Sequence, residues 1–488
     1  MPSNGDASPA FPGKNTMEDR ERMMSHANAT SGASARGGLG FKALFATSIG
    51  VIVSQLGMLA VLQGIGIGGW GFILAMAIGF AIALANAMAY AEMALMMPSA
   101  GSLSSYTEAA IGNFPAIVLV FAGYVAVPMF GLPAELILAE HILAKVIPLN
   151  VPPLLWPILL VVVFAGLNIL GADVFARVQT TLSFLVLAFL VITGLIALSG
   201  HALFPPNVVP ASVGLASLGK HTVTFGVLAL AFWVFVGSEL VTPLVPEARS
   251  PDRDLPRAML GGLIAIFVAQ VVFALGAAFV IPRAWLLAAA TPHFEYAVAV
   301  FGPAARVGFA VLAVAASSSL LNTVLAATAR MLSGMAENGQ VVSVFKFTHR
   351  RFRTPVVAIV FVAMLALIGL AWSHGDAKSI LPLTIAASVC WLLAYVVAQI
   401  SLVVLRQRYP QALRPFRVPG YPWVPALAIC GMVYVMLHSS PEPAMTAQIV
   451  QYVGIVLGLI SLGAGLWVKL VMKKPLFEPT KPPGCHFS

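Results

Sequence analysis

The chain has 488 residues, of which 59% are hydrophobic and only 9% charged, whereas a soluble domain carries about 25% charged residues. No soluble core could bury so much apolar surface, so the composition excludes a soluble protein and indicates a polytopic membrane protein. A net charge of +9 would suit a nucleic-acid partner in a soluble chain, but in a membrane protein its distribution along the chain matters more than its sum.

Residues 1–41 are rich in Ser, Gly, Ala, Asn and mixed charges and contain no apolar run of signal-peptide length. They are expected to form a disordered tail rather than a cleaved leader. The first long apolar run then stays in the protein as a signal anchor. A helix needs about 20 apolar residues to cross the hydrocarbon, and twelve runs meet that test or come close. They lie near 43–66, 71–97, 114–146, 153–171, 174–199, 222–246, 257–281, 303–335, 355–373, 380–405, 424–438 and 448–472, the eleventh being short. All are expected to be helical, because backbone groups in lipid must be satisfied internally. The predicted membrane domain covers 42–475, and 476–488 form a second tail.

With an even count and an internal N-terminus, five basic residues fall outside: Lys145, Lys220, Arg283, Arg306 and Lys378. The other 22 of 27 share the side of both termini. That asymmetry places both ends in the cytoplasm, with the chain in the plasma (cell inner) membrane. Three cysteines, Cys390, Cys430 and Cys485, are too few and too scattered for a disulfide framework or a metal site. No metal and no cofactor is expected.

Within the sixth run, AFWVFVGSELVTPLV (231–245), Glu239 is an ionisable side chain at membrane depth. Such a group costs several kcal/mol unless it faces a cavity or a partner. Beside it, Gly237 and Ser238 weaken the helix. The first run is interrupted at its middle by Ser54, Gln55 and Gly57 (VIVSQLGML). Polar breaks at matching places in two halves of a membrane chain mark a binding site. The third run adds Tyr124, Glu135 and Glu140; Glu140, near His141 and Lys145, suits an outer-surface ion pair.

The segment YAEMALMMPSAGSLSSYTEAAIG (90–112) resembles the signature that follows the second span in the amino acid–polyamine–organocation permeases. The matching positions are Ala91, Glu92, Met93, Pro98, Gly101, Tyr106, Glu108 and Gly112. Further resemblances follow in order: LNILG (167–171), FVGSEL with PEARSPDRDLPRAM (246–259), LNTVLAATARMLSGMAENG (321–339) with RFRTPVVA, and RPFRVPGYPWVP (414–425). Together they cover most of 43–472.

The resemblance implies an all-α fold of the leucine-transporter type. Twelve spans would comprise a 5+5 inverted repeat, at about 43–199 and 222–405, and two peripheral helices at about 424–472. The first and sixth helices would be broken, with substrate between the broken ends. Ser54, Gln55, Leu56 and Gly57 match the family's unwound glycine-rich stretch, although Gln55 and Leu56 stand where glycine is usual. That departure leaves binding of an amino-acid carboxylate open. Trp233 matches an aromatic gate, with Phe235 and Val236 beside it, and an aromatic face also attracts ammonium groups. Basic-amine exchangers of the family carry a glutamate at the position of Glu239. There it would act as counter-ion to a substrate amine or as a proton switch, since both cations neutralise one carboxylate; burial for packing alone is the structural alternative. Glu135 could support a cationic solute or serve packing.

Ser317, Ser318, Ser319 and Asn322 lie midway along the eighth run. In sodium-coupled relatives hydroxyls here join first-span carbonyls around the ion, so Ser318 and Ser319 are candidate ion ligands; close helix packing is the other reading. Some proton-coupled members carry a lysine near the position of Val186. No Lys or Arg lies between Arg177 and Lys220, so that device is absent. Glu92, Glu108, Glu247, Arg249 and Arg330 are assigned to an inner-face gating network.

The function expected is a secondary transporter for an amino acid or a polyamine-like organic amine, coupled to protons or working by exchange, with sodium a third option. A neutral amino-acid permease using Glu239 only as proton carrier is the alternative within the class. A sensor or channel on a transporter scaffold is the reading outside it. The nine dispersed histidines and the lack of a nucleophile constellation argue against an enzyme.

Overall fold

The computed structural model describes residues 38–147, 151–203, 215–220, 223–373, 380–439 and 443–481. The expected disordered tail up to residue 37, Lys378, Cys485 and the end of the second tail lie outside these ranges. Every named element among the described residues is helical, and an isolated parallel bridge joins Leu39 to Ala248. Nine helical segments are long and apolar enough to cross a membrane, and three shorter apolar helices span Gln55–Gly68, Leu155–Ile169 and Trp423–Leu437.

The first run is two helices, α1 (Phe41–Ile49) and α2 (Gln55–Gly68), separated at 50–54. The break falls one turn earlier than the sequence suggested. Val51, Ile52 and Val53 fill the gap between the two helices and are buried. Ser54 then stops the unwinding, because its hydroxyl accepts from Gly57 N–H and caps α2. Gln55, Leu56 and Gly57 are therefore the first helical turn and not the unwound stretch.

Next come α3 (Trp70–Met96), the short α4 (Leu103–Ile111), α5 (Asn113–Val120), a π-helical turn (Phe121–Val125) and α6 (Val127–Val146). They are followed by α7 (Leu155–Ile169) and α8 (Ala172–Leu198). The sixth run is also broken. Helix α9 (Leu228–Trp233) ends in a turn at 234–237, and a 3₁₀ segment covers Ser238–Glu247. Gly237 takes φ +118° with Val51 pressed against it; a Cβ there would lie 2.7 Å from the Val51 Cβ. That backbone favours glycine. Pro243 and Pro246 withhold amide donors from the continuation, which keeps it from closing into an α-helix.

The chain continues through α10 (Pro251–Val280), the short α11 (Arg283–Ala288) and α12 (Pro292–Phe301), and α13 (Ala305–Glu337). The last helices are α14 (Val356–Ser373), α15 (Ile380–Arg408), α16 (Trp423–Leu437) and α17 (Pro443–Leu466). Helix α13 is innermost, with 89% of its apolar window buried, whereas the window within 446–472 is only 11% buried. Around the breaks, α13 packs on α6, α8 and the 3₁₀ segment, while α10 packs on α1, α3 and α8.

Candidate functional site

Both breaks line one cavity. Ser54, Leu56 and Gly57 of the first run face Trp233, Val234 and Val236 of the sixth, with Gly131, Leu132 and Trp391 completing the wall. The cavity is about 30 Å³, room for a water or two, so an organic solute enters only if the half-helices part. The edge of Trp233 meets Trp391 at 6.4 Å between ring centres.

Of the other residues singled out, Glu239 lies behind this wall and is fully buried. Its carboxylate accepts from Trp391 Nε1 at 2.8 Å, Tyr395 Oη at 2.5 Å and Tyr124 Oη at 3.4 Å. Tyr124 and Tyr90 hydroxyls share a 2.8 Å hydrogen bond. Gly237 donates its N–H to Tyr395 Oη at 3.1 Å. Ser238 is buried at the start of the 3₁₀ segment. Trp391 and Tyr395 escaped sequence reasoning, although two aromatic hydrogen-bond donors four residues apart share one helix face. That spacing was the available signal.

Glu135 forms the second buried polar centre. Its carboxylate accepts from the backbone N–H of Gln55 at 2.8 Å and of Leu56 at 2.9 Å, one on each oxygen. Ser317 Oγ adds a 2.8 Å hydrogen bond to Oε1, and Gln55 Nε2 donates to Ser317 Oγ at 2.8 Å. The carboxylate thus sits on the N-terminus of α2, where unpaired amides and the helix dipole favour an anion. Among the described residues no Lys or Arg lies within 4 Å of the Glu135 or Glu239 carboxylate.

A third centre joins α1 to α8 and α13. Ser319 Oγ donates to Gly50 O at 2.9 Å, and Ser183 Oγ donates to Ala46 O at 2.9 Å. Both hydroxyls accept from Gln179 Nε2, at 2.8 and 2.9 Å. Asn322 Nδ2 donates to Gln179 Oε1 at 2.9 Å, which turns the amide nitrogen toward the oxygens. Asn168, from the LNILG stretch, donates in turn to Asn322 Oδ1 at 2.8 Å. Ser319 therefore belongs to an oxygen cluster with first-run carbonyls, and its centre is held by a neutral amide. Ser318 is buried next to it in the chain. Gln179 is not among the sequence-derived candidates; its signal is a long polar side chain in an apolar run with Ser183 one turn on.

A family model for amino acid permeases matches residues 39–460. The chain belongs to the amino acid permease family. At 26% identity over 407 residues this permease is similar to the serine/threonine exchanger SteT of Bacillus subtilis, covering 81% of this chain and 87% of SteT. It is 26% identical to the branched-chain amino acid permease BcaP of the same organism over 44% of this chain and 45% of BcaP. It is also 27% identical to the polyamine transporter RMV1 of Arabidopsis thaliana over 53% of this chain and 49% of RMV1. These last two matches span about half the length of the relatives. Among solved structures, Mhp1, a nucleobase-cation-symport-1 family transporter in a closed conformation with bromovinylhydantoin bound, superposes with a TM-score of 0.53 at 17% identity. That match covers 91% of this chain and 95% of Mhp1. The fold of the permease is of the leucine-transporter type, and its family and relatives are transporters, not enzymes.

Elsewhere in the permease the family motifs pair off. Arg330 binds Glu247 through Nε at 2.5 Å and Nη2 at 3.1 Å. Leu39 N–H donates to Glu247 O, and Arg249 N–H donates to Leu39 O, at 2.8 and 3.0 Å. The entry to α1 is thereby stitched to the exit of the broken sixth run. Glu92 pairs with Arg406 and Arg414 and accepts from Val418 N–H at 2.7 Å, which ties α3 to the loop before α16. Glu108 accepts from Asn338 Nδ2 at 3.1 Å and Gln340 Nε2 at 2.9 Å. Burial pushes its carboxyl above the usual carboxylate range. Glu140, expected in an outer ion pair, instead accepts from Leu154 N–H at 2.7 Å, while Lys145 Nζ donates to Thr291 Oγ1 at 2.6 Å.

Proposed function

We propose that this permease is a secondary active transporter that moves a small organic amine, either an amino acid or a polyamine-like solute, by alternating access. The observation that carries the proposal is Glu239. It is a buried carboxylate that, among the described residues, is held by neutral donors only, two residues past Gly237 and behind the wall of the cavity. Neutral donors orient such a group without supplying the opposite charge, so a substrate ammonium or a proton completes it. Trp233 and Trp391 add aromatic faces for a cation. Substrate-binding roles go to Ser54, Gln55, Leu56, Gly57, Tyr124, Glu135, Trp233, Val236, Gly237, Ser238 and Glu239. Gating roles go to Glu239, Glu92, Arg249 and Arg330.

Twelve spans arranged as a 5+5 inverted repeat with two outer helices accommodate the nine long segments, the three shorter helices and the two breaks. Coupling goes to a proton or a counter-substrate through Glu239. Sodium is disfavoured, because the Gln179 amide already fills the oxygen cluster at Ser319. The protein is placed in the plasma membrane with both termini cytoplasmic, which fits the basic residues gathered on one face.

Counterflow in proteoliposomes against a panel of amino acids, polyamines and monoamines tests this. Saturable, competable uptake that falls away in Glu239→Gln is expected. Competition only by amine-free neutral solutes sinks the proposal, and ion flux far above an alternating-access rate points to a channel.

A further inference from the structure

Three donors open the first turn of α2: the N–H groups of Gln55, Leu56 and Gly57. In transporters built on broken helices, half-helix N-termini point at the anionic groups of substrates. Here all three donors are already satisfied by the protein itself. Glu135 takes the first two with its two oxygens, and Ser54 Oγ takes the third at 3.1 Å. The seat is also reinforced from the side, since Ser317 Oγ and the Gln55 amide close around the same carboxylate. A substrate carboxylate arriving at this turn would meet no free donor and a buried like charge beside it.

Resting on the transport reading above, we infer that Glu135 is an internal substitute for a substrate carboxylate. The preferred substrate is therefore an organic amine that has no carboxylate of its own. With Glu239 as the second acid and no Lys or Arg within 4 Å of either carboxylate among the described residues, the site asks for positive charge from its ligand. An amino acid brings an amine for Glu239 together with an anion that has nowhere to dock. The corresponding decarboxylated amine brings the first without the second. Glu135 thus sets specificity by exclusion as well as by attraction.

Matched pairs isolate this one difference: cadaverine and lysine, putrescine and ornithine, agmatine and arginine, phenethylamine and phenylalanine. Binding to the purified full-length protein in nanodiscs is measured by calorimetry, and uptake of the same compounds is measured in proteoliposomes. The wild type is expected to bind at least one amine tenfold or more tightly than its carboxylated partner. Glu135→Ala, which frees two amides, is expected to shift that ratio at least tenfold toward the amino acid. Glu135→Gln, which keeps the shape and one acceptor oxygen, is expected to fall between. Tighter binding of the amino acid than of its amine by the wild type in every pair overturns the inference, whether or not the variants fold. So does a complete absence of binding by both members of every pair. Amines that bind but are never carried sink the transport reading and leave this one standing, whereas amino acids bound and carried in preference do the reverse.

Discussion

The hydroxyl of Tyr395 donates a 2.5 Å hydrogen bond to Glu239 and accepts a 3.1 Å hydrogen bond from the Gly237 N–H. One side chain of α15 therefore holds both the carboxylate and the break that presents it. Any movement of α15 against the sixth run must strain or release that pair of contacts, which couples the state of the carboxylate to the position of a helix.

Replacing Glu239 by Gln keeps the shape and removes the charge. Hydrogen bonds to charged groups contribute about 1.5–3 kcal/mol, so amine affinity should drop roughly ten- to a hundredfold, read as the dissociation constant of the best-bound amine. Tyr395→Phe should act differently. It leaves the buried Gly237 N–H without its acceptor, at a cost of about 1–3 kcal/mol, and should lower the melting temperature in detergent as well as slow uptake. Unchanged binding in Glu239→Gln would remove the carboxylate from the site.

Initial uptake in sodium buffer and in potassium buffer should agree within about twofold, because the Gln179 amide nitrogen sits among the Ser183 and Ser319 hydroxyls and is fixed there by Asn322. A steep dependence of rate on sodium concentration would show that the amide swings away to admit an ion.

The Arg330–Glu247 pair ties α13 to the exit of the broken sixth run, and its acidic partner is 35% exposed. At about 1 kcal/mol for a partly exposed pair, Arg330→Ala should move the balance between inward- and outward-facing states roughly fivefold. Modification of a cysteine placed at Val324, which lines the cavity, would report it from the side of the protein that carries Arg330. The swapped pair Glu247→Arg with Arg330→Glu should restore much of the original rate of labelling.

Glu108 lies in α4, outside the spans, and its carboxyl is raised above the ordinary value of 4.5 mainly by burial. The folded state therefore binds this proton more tightly than the unfolded state. The stability it contributes is present at low pH and is lost as pH rises through the folded value. The melting temperature should accordingly fall between pH 5 and pH 8, and Glu108→Gln should flatten that fall. A mutant slope equal to that of the wild type would assign the pH dependence to other groups.

The basic asymmetry, the long apolar runs and the two interrupted segments were legible in the residues, because lipid length and backbone satisfaction leave a chain few choices. Glu239 stood out for the same reason, being a lone acid where acids are costly. Its partners did not. Tyr395 lies 156 residues away, and nothing local pairs an aromatic hydroxyl with a distant carboxylate until two helices are packed together. The first break moved by one turn because the Ser54 cap starts the second helix ahead of the glycine that marked the break in the sequence. Glu135 could be read only as an acid of undecided purpose. Tertiary packing alone put its two oxygens on the amides of a helix some 80 residues earlier, and placed a neutral amide beside Ser319, one of the two candidate ion ligands. Membrane physics acts residue by residue and so is written in the chain. The chemistry of the site depends on which helix ends meet, and that is decided only when the helices are assembled.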